Sequence, residues 1–177
     1  MGNALRVITQ TLLYYCAFKL SSGLSQNVVS VGSPGIDGVL DLAHGLRVVL
    51  AWFFGLTSIS YLAPISFLTH WGLFDEPQSL IQLLVMPLFG LVCTPLVFEF
   101  ADRLGLDLQL NFFYLVNWKN LVLVGFIASL ADALGGMLIT SSSFHLMLVD
   151  LCGNISGSVV GLGVLQLGLR VARYLRS

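Results

Sequence analysis

The chain is short of charge. Of its 177 residues only 10% are Asp, Glu, Lys or Arg, against 56% hydrophobic, and the net charge is −1. Soluble domains carry about a quarter charged residues. A water-soluble fold is therefore excluded, and a mean hydropathy of +0.90 points to a single polytopic membrane domain. The eight Lys and Arg are scattered, which argues against nucleic acid as a partner. Cysteine is scarce too. Cys16, Cys93 and Cys152 lie in apolar runs with no CxxC spacing, so they read as small buried hydrophobes and not as disulfide or metal sites. Also lacking are a nucleophile–base pair, a metal-spaced His/Asp/Glu set and a Gly-rich phosphate loop, and with them the grounds for an enzyme. Arg6 stands where an N-myristoylation motif needs Ser or Thr. The first apolar run has no small-residue cleavage site, so neither a lipid anchor nor a cleaved leader is expected.

What the chain has is apolar runs of bilayer length, about 20 residues each. The pattern predicts an all-α transmembrane bundle of about five to six spans, some kinked or broken. Residues 1–43 form an N-terminal part and 44–177 the core bundle. A first helix is expected near residues 4–20. Residues 21–43, with a Gly-Ser-Pro-Gly turn and Asp37 and Asp41, are too polar to span and too apolar to be a free loop. A re-entrant or surface-packed segment reconciles the two, provided that protein or water covers its backbone. The run 46–67 is either one kinked helix or two pieces hinged at residues 55–57. Further spans are expected over 79–100, with Pro87 and Pro95 as kink points, over 118–140, and over 145–168. A tight turn at 141–143 joins the last two.

Arg170, Arg173 and Arg176 close the last span and place the C-terminus in the cytoplasm, in a bacterial inner membrane. Counting back puts the 141–143 turn outside, the Arg103/Lys119 loop inside, the acidic 72–78 loop outside and Arg47 inside.

The candidate site comes from polar residues in apolar surroundings. The last span carries Gly153, Gly157 and Gly161 at four-residue spacing, with Asp150 and Asn154 close to that ridge. Residues four apart share a helix face, so the glycines allow close approach of another helix. A carboxylate at a span's centre costs about 2.5–3.5 kcal/mol and wants a partner. The preceding span repeats the device. Gly125, Ser129 and Ala133 form one small stripe, and Ala128, Asp132 and Gly136 the next. The two spans are antiparallel neighbours, so their small faces are expected to meet, with Asp132 and Asp150 at similar depth. Two such carboxylates either share a proton or lean on a cation, for which Arg47 is the first choice because its fork holds a carboxylate bidentately. His44 joins this set. The expected polar core is thus His44, Arg47, Asp132, Asp150 and Asn154. The expected packing positions are Gly125, Ser129, Gly136, Gly153, Gly157 and Gly161. No cofactor is required, though a heme or chlorophyll held by a single His (His44, His70 or His145) stays open.

Residues 44–71 (HGLRVVLAWFFGLTSISYLAPISFLTHW) resemble the early segment of MASE1-type membrane sensory domains. In that family a polar-Gly turn opens a short apolar run, and a Gly and an aromatic-Pro-small helix follow. Residues 153–157 (GNISG) stand in register with the family's late Gly-Asp-x-x-Gly element. The likeness runs from position 40 onward, with departures: His44 replaces a Trp-Pro entry, Asn154 stands where Asp is expected, and there are fewer spans. The resemblance implies a sensory domain. With no output module after Ser177, it implies relay of a conformational change to another subunit.

Three functions compete. The first is a non-enzymatic membrane module that binds a small-molecule ligand in its polar core or docks partner helices. The second is a small accessory subunit of a larger membrane complex, of a pigment- or redox-associated kind. The third is a substrate-capturing transporter component, disfavoured in the sequence because no inverted repeat or half-helix pair is evident. The lipid bilayer is a partner under all three, and other membrane subunits are expected.

Overall fold

The computed structural model describes residues 8, 9, 11, 12, 15–17, 19, 20, 40–72, 80–106, 108 and 117–175. Five helices account for most of them: α1 (Leu42–Phe54), α2 (Ser58–Gly72), α3 (Leu80–Arg103), α4 (Trp118–Thr140) and α5 (Phe144–Tyr174). The chain is an all-α bundle and an integral membrane protein. Four stretches are long and apolar enough to cross a bilayer: Leu42–Pro64, Leu84–Arg103, Trp118–Thr140 and Phe144–Val171. Outward-facing Val122, Phe126, Leu138, Val160, Val164 and Leu167 give the bundle an apolar coat. Such a coat would be unstable in water and suits acyl chains.

The first of these stretches is not one rod. Gly55 takes a positive φ of 54°, which a residue with a Cβ adopts only at a cost, and it opens a single 3-10 turn over Gly55–Thr57. Hydroxyls take up the carbonyls freed by this break. Thr57 Oγ1 donates to the Phe54 carbonyl (2.6 Å) and Ser58 Oγ to the Gly55 carbonyl (2.7 Å). Side-chain donors of this kind are what make a broken helix tolerable in lipid. After the break the chain doubles back, because Leu62 packs with Leu91 and with Leu46 and Leu50 of α1. Of the two readings left open for 46–67, the hinged one describes the structure.

Helix directions follow from contacts. Ser129 meets Ser158 and Asp132 meets Asn154, so α4 and α5 are antiparallel across a turn in which Ser141 is left-handed (φ 53°). Asp41 touches Gly153 and Gly157, and Gly45 touches Gly157 and Gly161, so α1 runs parallel to α5. Beyond α1's first turns, Val48, Ala51, Phe98, Ala101, Leu121, Val124 and Leu162 form the main apolar core. α3 runs unbroken through Pro87 and Pro95. In the N-terminal part, Thr11 Oγ1 donates to the Tyr61 carbonyl (3.1 Å).

The start of α1 is the unusual point. Asp132 precedes the end of α4 at Thr140 by eight residues, about 12 Å of helix. Gly153 follows the start of α5 at Phe144 by nine, about 13.5 Å. α1 therefore begins near the middle of a layer about 30 Å thick, and its 13 residues, about 20 Å, reach only one face. Arg47, expected at the inner surface, lies instead at mid-depth beside Gly90 and Asp132. Of the segment expected to be re-entrant, residues 21–39 lie outside the described residues. Its last residues, 40–43, sit at this mid-depth point.

Candidate functional site at the buried start of α1

Asp41 opens the helix. Its carboxylate accepts the His44 backbone N–H (3.0 Å), the N-cap bond that satisfies one of the orphan donors of a first turn. Its own N–H donates to the Gly153 carbonyl (3.0 Å), so the same residue caps α1 and ties it to α5. The backbones come close enough to exclude side chains between them. A Cβ on Gly157 would stand 1.7 Å from the Asp41 carbonyl oxygen, and one on Gly45 would stand 2.0 Å from the Gly157 oxygen. This is the physical use of the ridge: glycine lets two helices touch main chain to main chain.

That approach brings the polar side chains of α1 against α4. His44 is fully buried. Its Nδ1 lies 3.2 Å from Asp132 Oδ2 and its Nε2 3.0 Å from Ser129 Oγ. Ser129 Oγ in turn donates to the Gly125 carbonyl (2.9 Å) and meets Ser158 Oγ at 3.2 Å. Arg47 stands between two carboxylates, with one terminal nitrogen 3.6 Å from Asp132 and the other 3.4 Å from Asp41. Asn154 Nδ2 donates to Asp132 Oδ2 (3.4 Å). Gly90 of α3 makes room for the guanidinium, since a Cβ there would lie 2.5 Å from it. The Asp132 side chain is only 13% exposed and that of Arg47 18%. In such surroundings a charge persists only when paired and hydrogen-bonded. The positive end of the α1 dipole adds to the field that holds both carboxylates there.

Four of the five residues expected in the polar core therefore meet: His44, Arg47, Asp132 and Asn154. Asp150 does not. It is exposed on α5, within electrostatic reach of Asp132 and Asp41 but without a contact to either. Its place is taken by Asp41, and Arg47 bridges two carboxylates instead of gripping one bidentately. Asp41 was legible as a cap, an Asp directly before an apolar run. Ser158, four residues after Asn154, shares its helix face, which is the signal that marks it in the sequence.

The packing positions divide similarly. Gly153, Gly157 and Gly161 serve a helix contact, but the partner is α1 and not the small face of α4. Gly125 lies against Val48 and Leu162. Ser129 is a hydrogen-bonding member of the cluster as well as a small residue. Gly136 has nothing within 4 Å of where a Cβ would stand, while its neighbour Gly135 packs under the Phe89 ring. Cys93 is buried as expected, but Cys16 and Cys152 are exposed, and all three are free thiols.

The His44 ring is enclosed between Ser129 at Nε2 and Asp132 at Nδ1, the latter without a well-formed hydrogen bond. His145 is exposed, and the His70 side chain lies outside the described residues. Among the described residues, no three His, Cys, Asp or Glu side chains are grouped to hold a metal ion. No family model matches the chain, and comparison with curated proteins and with solved structures gives no match.

Proposed function

We propose that the chain is a non-enzymatic sensory module of a membrane, in which a change at the buried cluster shifts the seating of α1 against α4 and α5. One observation carries the reading: a helix begins at mid-depth and is held there by Asp41, His44 and Arg47 against Asp132 and Asn154. Ionisable residues at such depth are costly and mark functional sites by default. A short helix held by a few polar contacts also has the discrete docked and undocked states that a switch needs. The likeness of residues 44–71 to MASE1-type domains points the same way. Under this reading the output is a contact with another membrane subunit. We read the three C-terminal arginines as favouring the cytoplasmic face of a bacterial inner membrane for that end.

The test is a distance. Spin labels at the exposed positions Phe53 and Val164, in a chain otherwise free of cysteine and held in lipid nanodiscs, report the position of α1 on α5. The probes are pH steps and exchange of sodium, potassium and chloride. The expected result is two separations whose populations move with a probe. A single separation that no probe alters would overturn the reading.

A second reading, capture of a substrate for transport, is favoured by α1 itself. Half-helices that end at the midplane are a device of transporter binding sites. It requires the cluster to be reachable from each face in turn. A cysteine placed at Asn154 that reacts with a membrane-impermeant maleimide from one face only, under all of the above conditions, would exclude it.

A further inference from the structure

α3 carries two stripes. Gly90, Thr94, Phe98 and Ala101 are buried and turn toward the interior. Phe89, Cys93, Leu96 and Phe100 follow the three- and four-residue steps of another face. With Ile127 of α4 they line an apolar hollow of about 430 Å³, within the range that takes a small molecule. Leu96, Phe100 and Ile127 are exposed, so the hollow opens outward, where a bilayer presents acyl chains.

Its length fits one leaflet. Phe89 to Phe100 is about 16 Å of helix, close to half of a layer about 30 Å thick. Gly135 packs under the Phe89 ring, and Phe98 and Ala101 share a cluster with Leu121 and Val124. α3 and α4 are therefore antiparallel, and Arg103 comes level with Lys119 and Asn120. The apolar spans Leu84–Arg103 and Trp118–Thr140 end and begin here, so the mouth of the groove stands at the depth of lipid phosphates.

The mouth is basic. Arg103 follows Phe100 by three residues, on the groove side of α3, and its side chain is 74% exposed. Lys119 is exposed on α4. Glu99 pairs with Arg103 (3.0 Å). Asp102, two residues after Phe100, lies about 160° round the helix and faces away. Arg103 and Lys119 against Glu99 leave one net positive charge at the mouth. No acidic residue stands in the first turn of α4 to offset Lys119, and the helix dipole there has the same sign as the lysine.

We infer that this groove is the seat of one anionic phospholipid from the leaflet on the Arg103 side. One acyl chain lies in the hollow from Phe100 to Phe89, and the phosphate sits between Lys119 and Arg103. A single phosphodiester balances the mouth, whereas a zwitterionic lipid brings a headgroup cation that cancels its own phosphate. The groove lies on the opposite face of α3 from Gly90 and the polar cluster, so this inference is independent of the sensory reading.

The experiment is native mass spectrometry of the detergent-solubilised chain. Phosphatidylglycerol and phosphatidylcholine of the same acyl length are offered in equal amounts, and the lipids retained per chain are counted. The expected result is one retained phosphatidylglycerol, held in preference to phosphatidylcholine. Lys119→Gln should weaken phosphatidylglycerol about fivefold, the share of one basic residue near a lipid surface, and leave phosphatidylcholine unchanged. Leu96→Trp and Ile127→Trp, which fill the hollow from exposed positions on either helix, should displace both lipids. No retained lipid, equal retention of the two headgroups, or a retained lipid that both tryptophans leave in place would overturn the inference. A dimer that both tryptophans dissolve would assign the groove to a second copy of the chain and overturn it too. The choice between the two lipids is read on the unsubstituted chain, so it decides the matter even where a variant fails to fold.

Discussion

The contact of α1 with α5 and the groove between α3 and α4 are built from opposite materials. In the first, glycine brings main chains together and the polar side chains of Asp41, His44 and Arg47 gather beside the contact. In the second, Phe89, Val92, Cys93, Leu96, Val97, Phe100 and Ile127 line an open hollow of about 430 Å³ that large apolar side chains leave loosely filled. The difference lies in how each tolerates change. Main chain against main chain has no rotamer to adjust, and a buried charge is costly to leave with a partner removed. Apolar side chains facing lipid exchange one weak contact for another. The α1 side should therefore be brittle and the α3–α4 side forgiving.

Substitutions test that contrast, read as unfolding free energies from denaturant titration in mild detergent. The largest effect belongs to Asp132→Ala, which leaves Arg47 and His44 facing an empty carboxylate position. Removing one partner of a buried ion pair costs about 3–5 kcal/mol, and Asp132→Asn should recover only part of it. Gly157→Ala follows at about 3 kcal/mol, the upper end for overpacking, because the atom it strikes is the Asp41 carbonyl and only separation of α1 from α5 relieves it. Gly135→Ala should cost about 1 kcal/mol, since its Cβ meets a Phe89 ring that can swing aside. At the bottom, Gly136→Ala should be neutral or stabilising by up to about 1 kcal/mol, as open space surrounds it and alanine favours helix. Asp150→Asn should stay within about 0.5 kcal/mol, as for surface changes away from packed features. A loss at Asp150 equal to that at Asp132 would erase the distinction between the two carboxylates. A loss at Gly136 equal to that at Gly157 would erase the distinction between the two kinds of helix contact.

Some of the site was readable in advance because chemistry demands it. Asp132 in an apolar run needs a partner, and Arg47 is one of few candidates. Gly153, Gly157 and Gly161 need a close neighbour. Which neighbour was not readable. A sharp turn at 141–143 makes α4 adjacent to α5, and adjacency suggested that their small faces meet. Yet a helix has several faces, and α1, distant in sequence, occupies the one with the glycines. Asp150 was misplaced for the same reason: its depth follows from residue counting, but its rotation about the axis follows from what α5 packs on.

Composition and the lengths of the apolar runs settled by themselves that this chain is a helical membrane bundle, because a backbone in hydrocarbon must satisfy its hydrogen bonds within each segment. The position of α4 and the start of α5 follow from the same rule nearly to the residue, while α5 runs six residues past the expected end. Tertiary structure alone decided that α1 starts in the middle of the layer and that the chain reverses at Gly55. It alone decided that Asp41 and not Asp150 completes the cluster. Those outcomes depend on contacts between segments far apart in the chain, where packing and charge pairing act and local sequence periodicity carries no information.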